Sequence, residues 1–416
     1  MNVTITPTKL CGTITPPPSK SQAHRLLIAA ALAEGTSVIS NVAFSQDIEA
    51  TLSCMEALGA RARVDGSTVT ITGIGDRRRT CGSCMADAVH LDCGESGSTL
   101  RFLIPVALVA AGGAFFTGRG RLLQRPQEPY ADLFAEKGVF FHRGGEAISV
   151  RGDLTPGVYR LPGNVSSQFF TGLLYALALL DGDSVVESTT ALESRDYIRM
   201  TIQALAQFGV DIREDGDRFL VPGGQKLTAC DCAVEADWSQ AGFWYAAGAV
   251  GNDVKVDGMC CDSAQGDRCD VAYTEALCGQ GTVTLDVSGC PDLVPPLAAH
   301  AALRAGQTTH LVNAARLRMK ESDRLASVTQ VLNALGASVE EHPDSLTIHG
   351  VETLHGGTVD SHNDHRIAMM AAIAATAATG PVTITDAGSV AKSYPNFWED
   401  YEALGGQISR SQEENP

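Results

Sequence analysis

The chain has 416 residues, 44% of them hydrophobic and 19% charged, which is enough apolar material for two separate cores. A formal net charge of −17 excludes the extended basic surface that nucleic acid or an anionic membrane would require. No leading stretch pairs a basic segment with an apolar run and a small-residue cleavage site, and no apolar run is long enough for a bilayer, so a cytoplasmic protein is expected.

In chain order, the first predicted element is 19-SKSQAHRLLIAAALAEG-35: a polar lead holding Lys20 and Arg25, a nearly all-apolar run, then a glycine. The same pattern returns as 94-GESGSTLRFLIPVALVAAGG-113, 163-GNVSSQFFTGLLYALALLDG-182, 237-DWSQAGFWYAAGAVGN-252, 291-PDLVPPLAAHAALRAG-306 and 361-SHNDHRIAMMAAIAATAATG-380. The starts are spaced by about 70 residues, with one gap nearer 55. Each lead suits an N-cap, and a helix that is apolar all round is a buried helix.

A second, amphipathic helix follows each buried one and leads into a hairpin. It is clearest in 54-CMEALGARARVDGSTVTITG-73, 200-MTIQALAQFGVDIREDGDRFLVPGG-224 and 328-VTQVLNALGASVEEHPDSLTIHG-350, with weaker copies ending at Gly138, Gly279 and Gly405. The repeat predicts an α/β protein of two domains, each with three helix–strand units, buried parallel helices and outer sheets. The boundary falls near residue 235, between the third and fourth units, and the polar tail 410-RSQEENP-416 is expected to be disordered.

The 12 cysteines are expected to be free thiols, because a chain this long can build an ordinary core. The pair 81-CGSC-84 has zinc-ribbon spacing but no second pair at a matching distance; 230-CDC-232 and 260-CC-261 do not supply one. The two histidines of 362-HNDH-365 lack a third ligand in sequence, so no metal is expected.

Parallel buried helices would bring their N-termini, with unpaired N–H groups and partial positive charge, to one face of each domain. One such end contributes about 0.3–1 kcal/mol toward an anion, so side-chain cations must add to it. The helix leads supply Lys20, Arg25, Arg101, His365 and Arg366, and the second helices begin in 121-RLLQRP-126, 194-SRDYI-198, 318-RMKESDR-324 and 392-KSYPNF-397. An ordinary N-cap and a solvated cation explain any single lead as well; repetition argues for the set.

Taken together, 20-KSQAHR-25, 94-GESGSTLR-101 and 317-LRMKESDRLASV-328 resemble the 5-enolpyruvylshikimate-3-phosphate (EPSP) synthases, or 3-phosphoshikimate 1-carboxyvinyltransferases. The resemblance runs end to end, through 119-RGRLLQRP-126, 163-GNVSSQ-168, 363-NDHR-366 and 391-AKSYP-395. It implies two inverse α/β domains, 19–235 and 236–416, with residues 1–18 joining the second. It also implies transfer of the enolpyruvyl group of phosphoenolpyruvate to the 5-hydroxyl of shikimate 3-phosphate in an interdomain cleft, releasing phosphate. No cofactor is implied, the family is usually monomeric, and glyphosate would be an inhibitor.

By the same resemblance, Ser166, Ser167 and Ser194 hold the 3-phosphate, while Lys20, Ser21, Arg25, Gln168, Asp292 and Lys320 meet the rest of shikimate 3-phosphate. Phosphoenolpyruvate falls to Lys20, Gly97, Arg125, Gln168, Arg324, Arg366 and Lys392. Guanidinium forks suit bidentate carboxylate and phosphate contacts. Asp292 matches a proton acceptor and Glu321 a proton donor, with Lys20 as a third catalytic residue; two acids in different environments are what this chemistry asks for. Read without the resemblance, Asp292 is an N-cap and Glu321 an ordinary helix-start acid. Glu95 and Ser98 stand where many relatives carry Asn and Thr, and Arg316 where some carry Asn. A carboxylate at 95 would repel a nearby anion unless paired, as with Arg101. The related enzyme acting on UDP-N-acetylglucosamine has a cysteine in the loop that here reads 119-RGRLLQRPQE-128, and Lys-Asn where this chain has Lys20-Ser21. A non-catalytic anion binder would have no use for both Asp292 and Glu321.

Overall fold

A computed structural model describes residues 1–75 and 88–411, so 81-CGSC-84 and the end of the polar tail lie outside the described residues. The chain divides into two compact units, Pro18–Glu235 and a second made of Met1–Pro17 with Ala236 onward. Each has its own continuous apolar core.

The first unit contains helices α1 (Lys20–Leu32), α2 (Gln46–Ala57), α3 (Gly97–Ala111), α4 (Glu128–Lys137), α5 (Ser167–Leu177) and α6 (Arg195–Gln207). The second contains α7 (Trp238–Ala249), α8 (Asp270–Cys278), α9 (Val294–Ala302), α10 (Arg324–Ala334), α11 (His365–Ala375) and α12 (Phe397–Ala403). The all-apolar runs became α1, α3, α5, α7, α9 and α11, and α9 and α11 are buried along their whole length. Fully burying each Leu or Ile in such a helix is worth about 1.5–3 kcal/mol, which outweighs the weak helix propensity of several of these residues. Ser19, Ser96, Ser166, Asp237 and Asp364 cap α1, α3, α5, α7 and α11 through their side chains. In α9, Pro295 and Pro296 occupy the first turn, where a missing N–H costs nothing. The helices between are amphipathic: α6 buries Ile198, Met200, Ala204 and Leu205 and leaves Arg195 and Arg199 outside.

Five of the sheets share one pattern, a parallel pair extended by two antiparallel strands. In one, Val89–Asp92 runs parallel to Gly113–Thr117, which pairs with Ala147–Arg151 and then Phe140–Gly144. The last repeat completes its sheet with residues from the other end of the chain: Asn2–Thr6 lies between Val382–Thr385 and Gln407–Ser411, in the register Val3 to Ile384 and Val3 to Arg410. Arg410 and Ser411 are therefore strand residues rather than the disordered tail expected from their polarity.

The fourth repeat departs from the expected unit. After α8 no hairpin follows, and Gly279 has an extended backbone instead of a left-handed cap. Its strand Asp253–Val256 pairs in parallel with Cys11–Ile14 alone. Chain economy explains this: only a few residues separate Cys278 from the next strand at Val283, too few for two strands and a turn.

The described cysteines are free thiols, no group of metal-ligating side chains occurs among the described residues, and no helix of theirs is long and apolar enough to cross a membrane.

Candidate active site

In the first unit the N-terminal ends of several helices are tied by hydrogen bonds. Lys20, the first residue of α1, places Nζ 2.7 Å from Oδ2 of Asp47 in the first turn of α2. The hydroxyl of Thr99, in the first turn of α3, lies 2.7 Å from the capping Ser96 hydroxyl and 3.4 Å from the Asp47 carbonyl. Asp47 is thus the link between the lysine and the α3 start. Sequence gave no hint of it, because an acid in the first turn of an amphipathic helix is unremarkable.

Arg25 is 2% exposed and bound within the protein. Its Nε donates to Thr201 at 2.9 Å, Nη1 to the Ser21 carbonyl at 2.6 Å and Nη2 to the Tyr197 carbonyl at 2.8 Å, with the Phe102 ring centre 5.1 Å away. Burial pulls its pKa down to about 10, which still leaves it charged near neutrality. Its positive charge thus sits beneath Ser21 and the start of α6.

Gly97 opens α3 directly against Arg125: a Cβ at Gly97 would stand 2.8 Å from Nη1 of that arginine. The side-chain-free position gives the guanidinium its place. One turn on, Arg101 is buried over the Phe169 ring and donates from Nη1 to Oε1 of Gln168 at 2.8 Å and from Nη2 to the Pro126 carbonyl at 2.9 Å. Because Oε1 of Gln168 is taken, its Nε2 turns outward and donates to Ser98 at 3.0 Å. Arg101 therefore sets the orientation of Gln168 and holds the residue next to Arg125. The carboxylate of Glu95 lies against Gly120, where a Cβ would be 2.7 Å from Oε2.

The three serines expected at the 3-phosphate stand at two helix starts. Ser166 caps α5 and accepts from the Gln168 N–H at 3.3 Å; Ser167 is its first residue. Ser194, just before α6, is buried with φ 50°, a left-handed conformation that a residue with a Cβ adopts at a cost.

The second unit gathers α9, α10 and α11 around an ion network. Arg324, the first residue of α10, is 1% exposed and uses its whole fork. Nη1 donates to Asp292 at 2.8 Å, Nη2 to Glu321 at 2.7 Å and Nε to Asp364 at 2.8 Å. Arg366, in the first turn of α11, donates from Nη2 to Asp292 at 3.0 Å and to Ser239 at 2.5 Å, and from Nη1 to the Asp292 carbonyl at 3.2 Å. Lys320 approaches Asp292 at 3.5 Å. Lys392 donates to the Asn363 carbonyl at 2.8 Å, where Asn363 has a left-handed backbone. Arg316 donates to the Ser288 carbonyl.

The network sets protonation. Burial pushes the Asp292 carboxyl upward, but Arg366, Lys320 and Arg324 outweigh it and hold it well below the usual carboxylate range. Burial pulls Lys320 down to about 8, against the attraction of Asp292. Asp364 is fully buried; desolvation opposes its charge, and Arg324 restores it. It also accepts from the Ser322 hydroxyl at 3.1 Å and from the backbone N–H of Arg366 at 3.0 Å, so one carboxylate holds the Arg324 guanidinium and caps the helix that carries Arg366. Within 363-NDHR-366 the sequence points to His365 and Arg366 but not to Asp364, whose one signal is its N-cap position before an apolar run.

The structure thus brings Lys20 to Asp47, Gly97 to Arg125, and Gln168 to Arg101 and Ser98 in one unit, and Asp292, Lys320, Glu321, Arg324 and Arg366 together in the other. Such sets can bind polyanions and, through two carboxyls held on one guanidinium, exchange protons with a bound ligand.

The profile of EPSP synthase (3-phosphoshikimate 1-carboxyvinyltransferase) matches residues 5–401. A 3-phosphoshikimate 1-carboxyvinyltransferase of Clostridium kluyveri is 44% identical over 424 residues, covering 98% of each chain, and one of Clostridium novyi is 43% identical over 433 residues with the same coverage. Among solved structures, an EPSP synthase from Acinetobacter baumannii superposes with a TM-score of 0.79 at 26% identity, covering 98% of this chain and 100% of that one.

Proposed function

Since the chain belongs to the EPSP synthase family and catalyses the enolpyruvyl-transfer step of the shikimate pathway, we propose how its own residues divide that work. Ser166, Ser167 and Ser194 hold the 3-phosphate of shikimate 3-phosphate, and Lys20, Ser21, Gln168 and Lys320 meet the rest of it, with Arg25 lending charge from beneath. Arg125, Arg324, Arg366 and Lys392 hold phosphoenolpyruvate, with Lys20 and Gln168 meeting both ligands and Gly97 leaving room beside Arg125. Hydroxyls adapt to phosphate oxygens, and charge-assisted forks match the carboxylate and phosphate of the donor.

In the addition step Asp292 takes the proton of the 5-hydroxyl, O5 bonds to C2 of phosphoenolpyruvate, and the methylene carbon takes a proton from Glu321 to become a methyl group. The reverse proton movement at that carbon re-forms the double bond as phosphate leaves C2. Lys20 supports the developing charge. The observation that carries this reading is Arg324, whose Nη1 and Nη2 bind Asp292 at 2.8 Å and Glu321 at 2.7 Å. Asp292 is too weak a base while three cations face it alone. Bound phosphate and carboxylate groups neutralise those cations and raise its basicity when the alcohol is present.

The same reading makes glyphosate a competitor of phosphoenolpyruvate, which inhibition kinetics check, and the chain a cytoplasmic monomer, whose mass light scattering of the purified protein checks. The central test is a coupled phosphate-release assay. Phosphate should appear only with both substrates, and Asp292→Ala should lower kcat by about 10²–10⁴-fold. Phosphate release that persists at full rate in Asp292→Ala would remove Asp292 from the chemistry.

A further inference from the structure

The segments leading to the phosphate serines are bound to one another by a residue that touches none of the chemistry. Thr190 is exposed, yet its Oγ1 accepts from the Gly163 N–H at 3.0 Å and from the Asn164 N–H at 3.2 Å. The chain beyond Asn164 turns into Ser166 and Ser167; the chain beyond Thr190 reaches Ser194. Further bonds run alongside, from the Thr189 N–H to the Leu161 carbonyl at 3.0 Å and from the Glu193 N–H to the Gly163 carbonyl at 3.2 Å. The approach is close enough that a Cβ on Gly163 would collide with the Ser188 hydroxyl. Ser188 in turn donates to the Thr190 carbonyl at 2.7 Å, fixing the turn that presents Oγ1.

We infer that Thr190 is a positioning residue for the phosphate of shikimate 3-phosphate, holding the Ser166–Ser167 turn against the segment that carries Ser194. This rests on the assignment of those serines to the 3-phosphate. A single hydroxyl oxygen offers two acceptor sites, and here both are used on consecutive backbone N–H groups of one turn. Without it, Gly163, which is buried, loses the acceptor of its N–H, and the turn relaxes to find another. Binding at separate serines on two segments needs those segments held in register, and misplacement weakens binding before it affects bond-making elsewhere.

The test measures the dissociation constant of shikimate 3-phosphate by calorimetry, together with kcat, the KM for phosphoenolpyruvate and the melting temperature, for Thr190→Val, Thr190→Ser and Ser167→Ala. Thr190→Val should weaken shikimate 3-phosphate binding about tenfold, with kcat and the phosphoenolpyruvate KM within about twofold and melting lowered by no more than a few degrees. Thr190→Ser, which keeps the acceptor, should restore wild-type binding. Unchanged binding in Thr190→Val overturns the inference, as does a uniform loss of all parameters with a lower melting temperature. If Ser167→Ala weakens binding while Thr190→Val does not, only the inference fails; if Ser167→Ala has no effect, the phosphate assignment fails and takes the inference with it.

Discussion

The two units use the same residue types to different ends. In the first, Arg25 and Arg101 donate to hydroxyl, amide and carbonyl oxygens of the protein, and the serines at the starts of α5 and α6 carry no charge. In the second, Arg324 and Arg366 bond to carboxylates, so positive charge is met by Asp292, Glu321 and Asp364. Cations bonded to neutral oxygens keep their field for an incoming anion, whereas cations bonded to acids regulate when those acids hold a proton. On the proposed division of labour, cations of both units meet the anionic ligands, while the two acids that would exchange protons both belong to the second.

The sharpest way to break that contrast is Glu321→Gln, which keeps the shape of the side chain and removes its acidity. It should lower kcat by about 10²–10³-fold with little change in shikimate 3-phosphate affinity; an equal loss of binding would make Glu321 a binding residue rather than an acid. Next in size is Arg324→Met. It strands the fully buried Asp364 without its cation, so it should cost about 3–5 kcal/mol in denaturant unfolding beyond its loss of activity. Gly97→Ala belongs to the other unit and pushes a methyl group toward Arg125. The phosphoenolpyruvate KM should rise about tenfold, glyphosate inhibition should weaken in parallel, and kcat should hold. The smallest effect is a pH dependence. With its pKa drawn down to about 8, Lys320 is a cation below that pH and neutral above it, so shikimate 3-phosphate should bind severalfold more weakly as pH rises through 8. Lys320→Arg, which stays charged, should flatten that part of the profile.

Much of this architecture could be read from the sequence because it rests on local signals repeated along the chain. A polar cap, an all-apolar run and a hairpin after Gly59, Gly209 or Gly336 are short-range features, and each occurs where the amphipathic helix ends. The candidate residues Lys20, Gly97, Ser166 and Arg366 stand at those same helix starts. What escaped were relations across distance. Asp47 binds Lys20 from another helix, Asp364 serves two arginines from beneath, and Thr190 bonds to Gly163 across two loops. None of these residues differs in sequence from an ordinary helix-start acid or loop threonine. The partner of Asp253–Val256 is likewise distant in sequence, since it pairs with Cys11–Ile14.

The placement of Asn2–Thr6 inside a sheet otherwise built from the last repeat has a consequence for biosynthesis. Synthesis runs from N- to C-terminus, so Asn2–Thr6 is made before either of its sheet neighbours and before the whole of Pro18–Glu235, which can fold in the meantime. Only when Gln407–Ser411 has emerged can that strand gain both neighbours, so the sheet of the second unit closes after the first unit has been made in full.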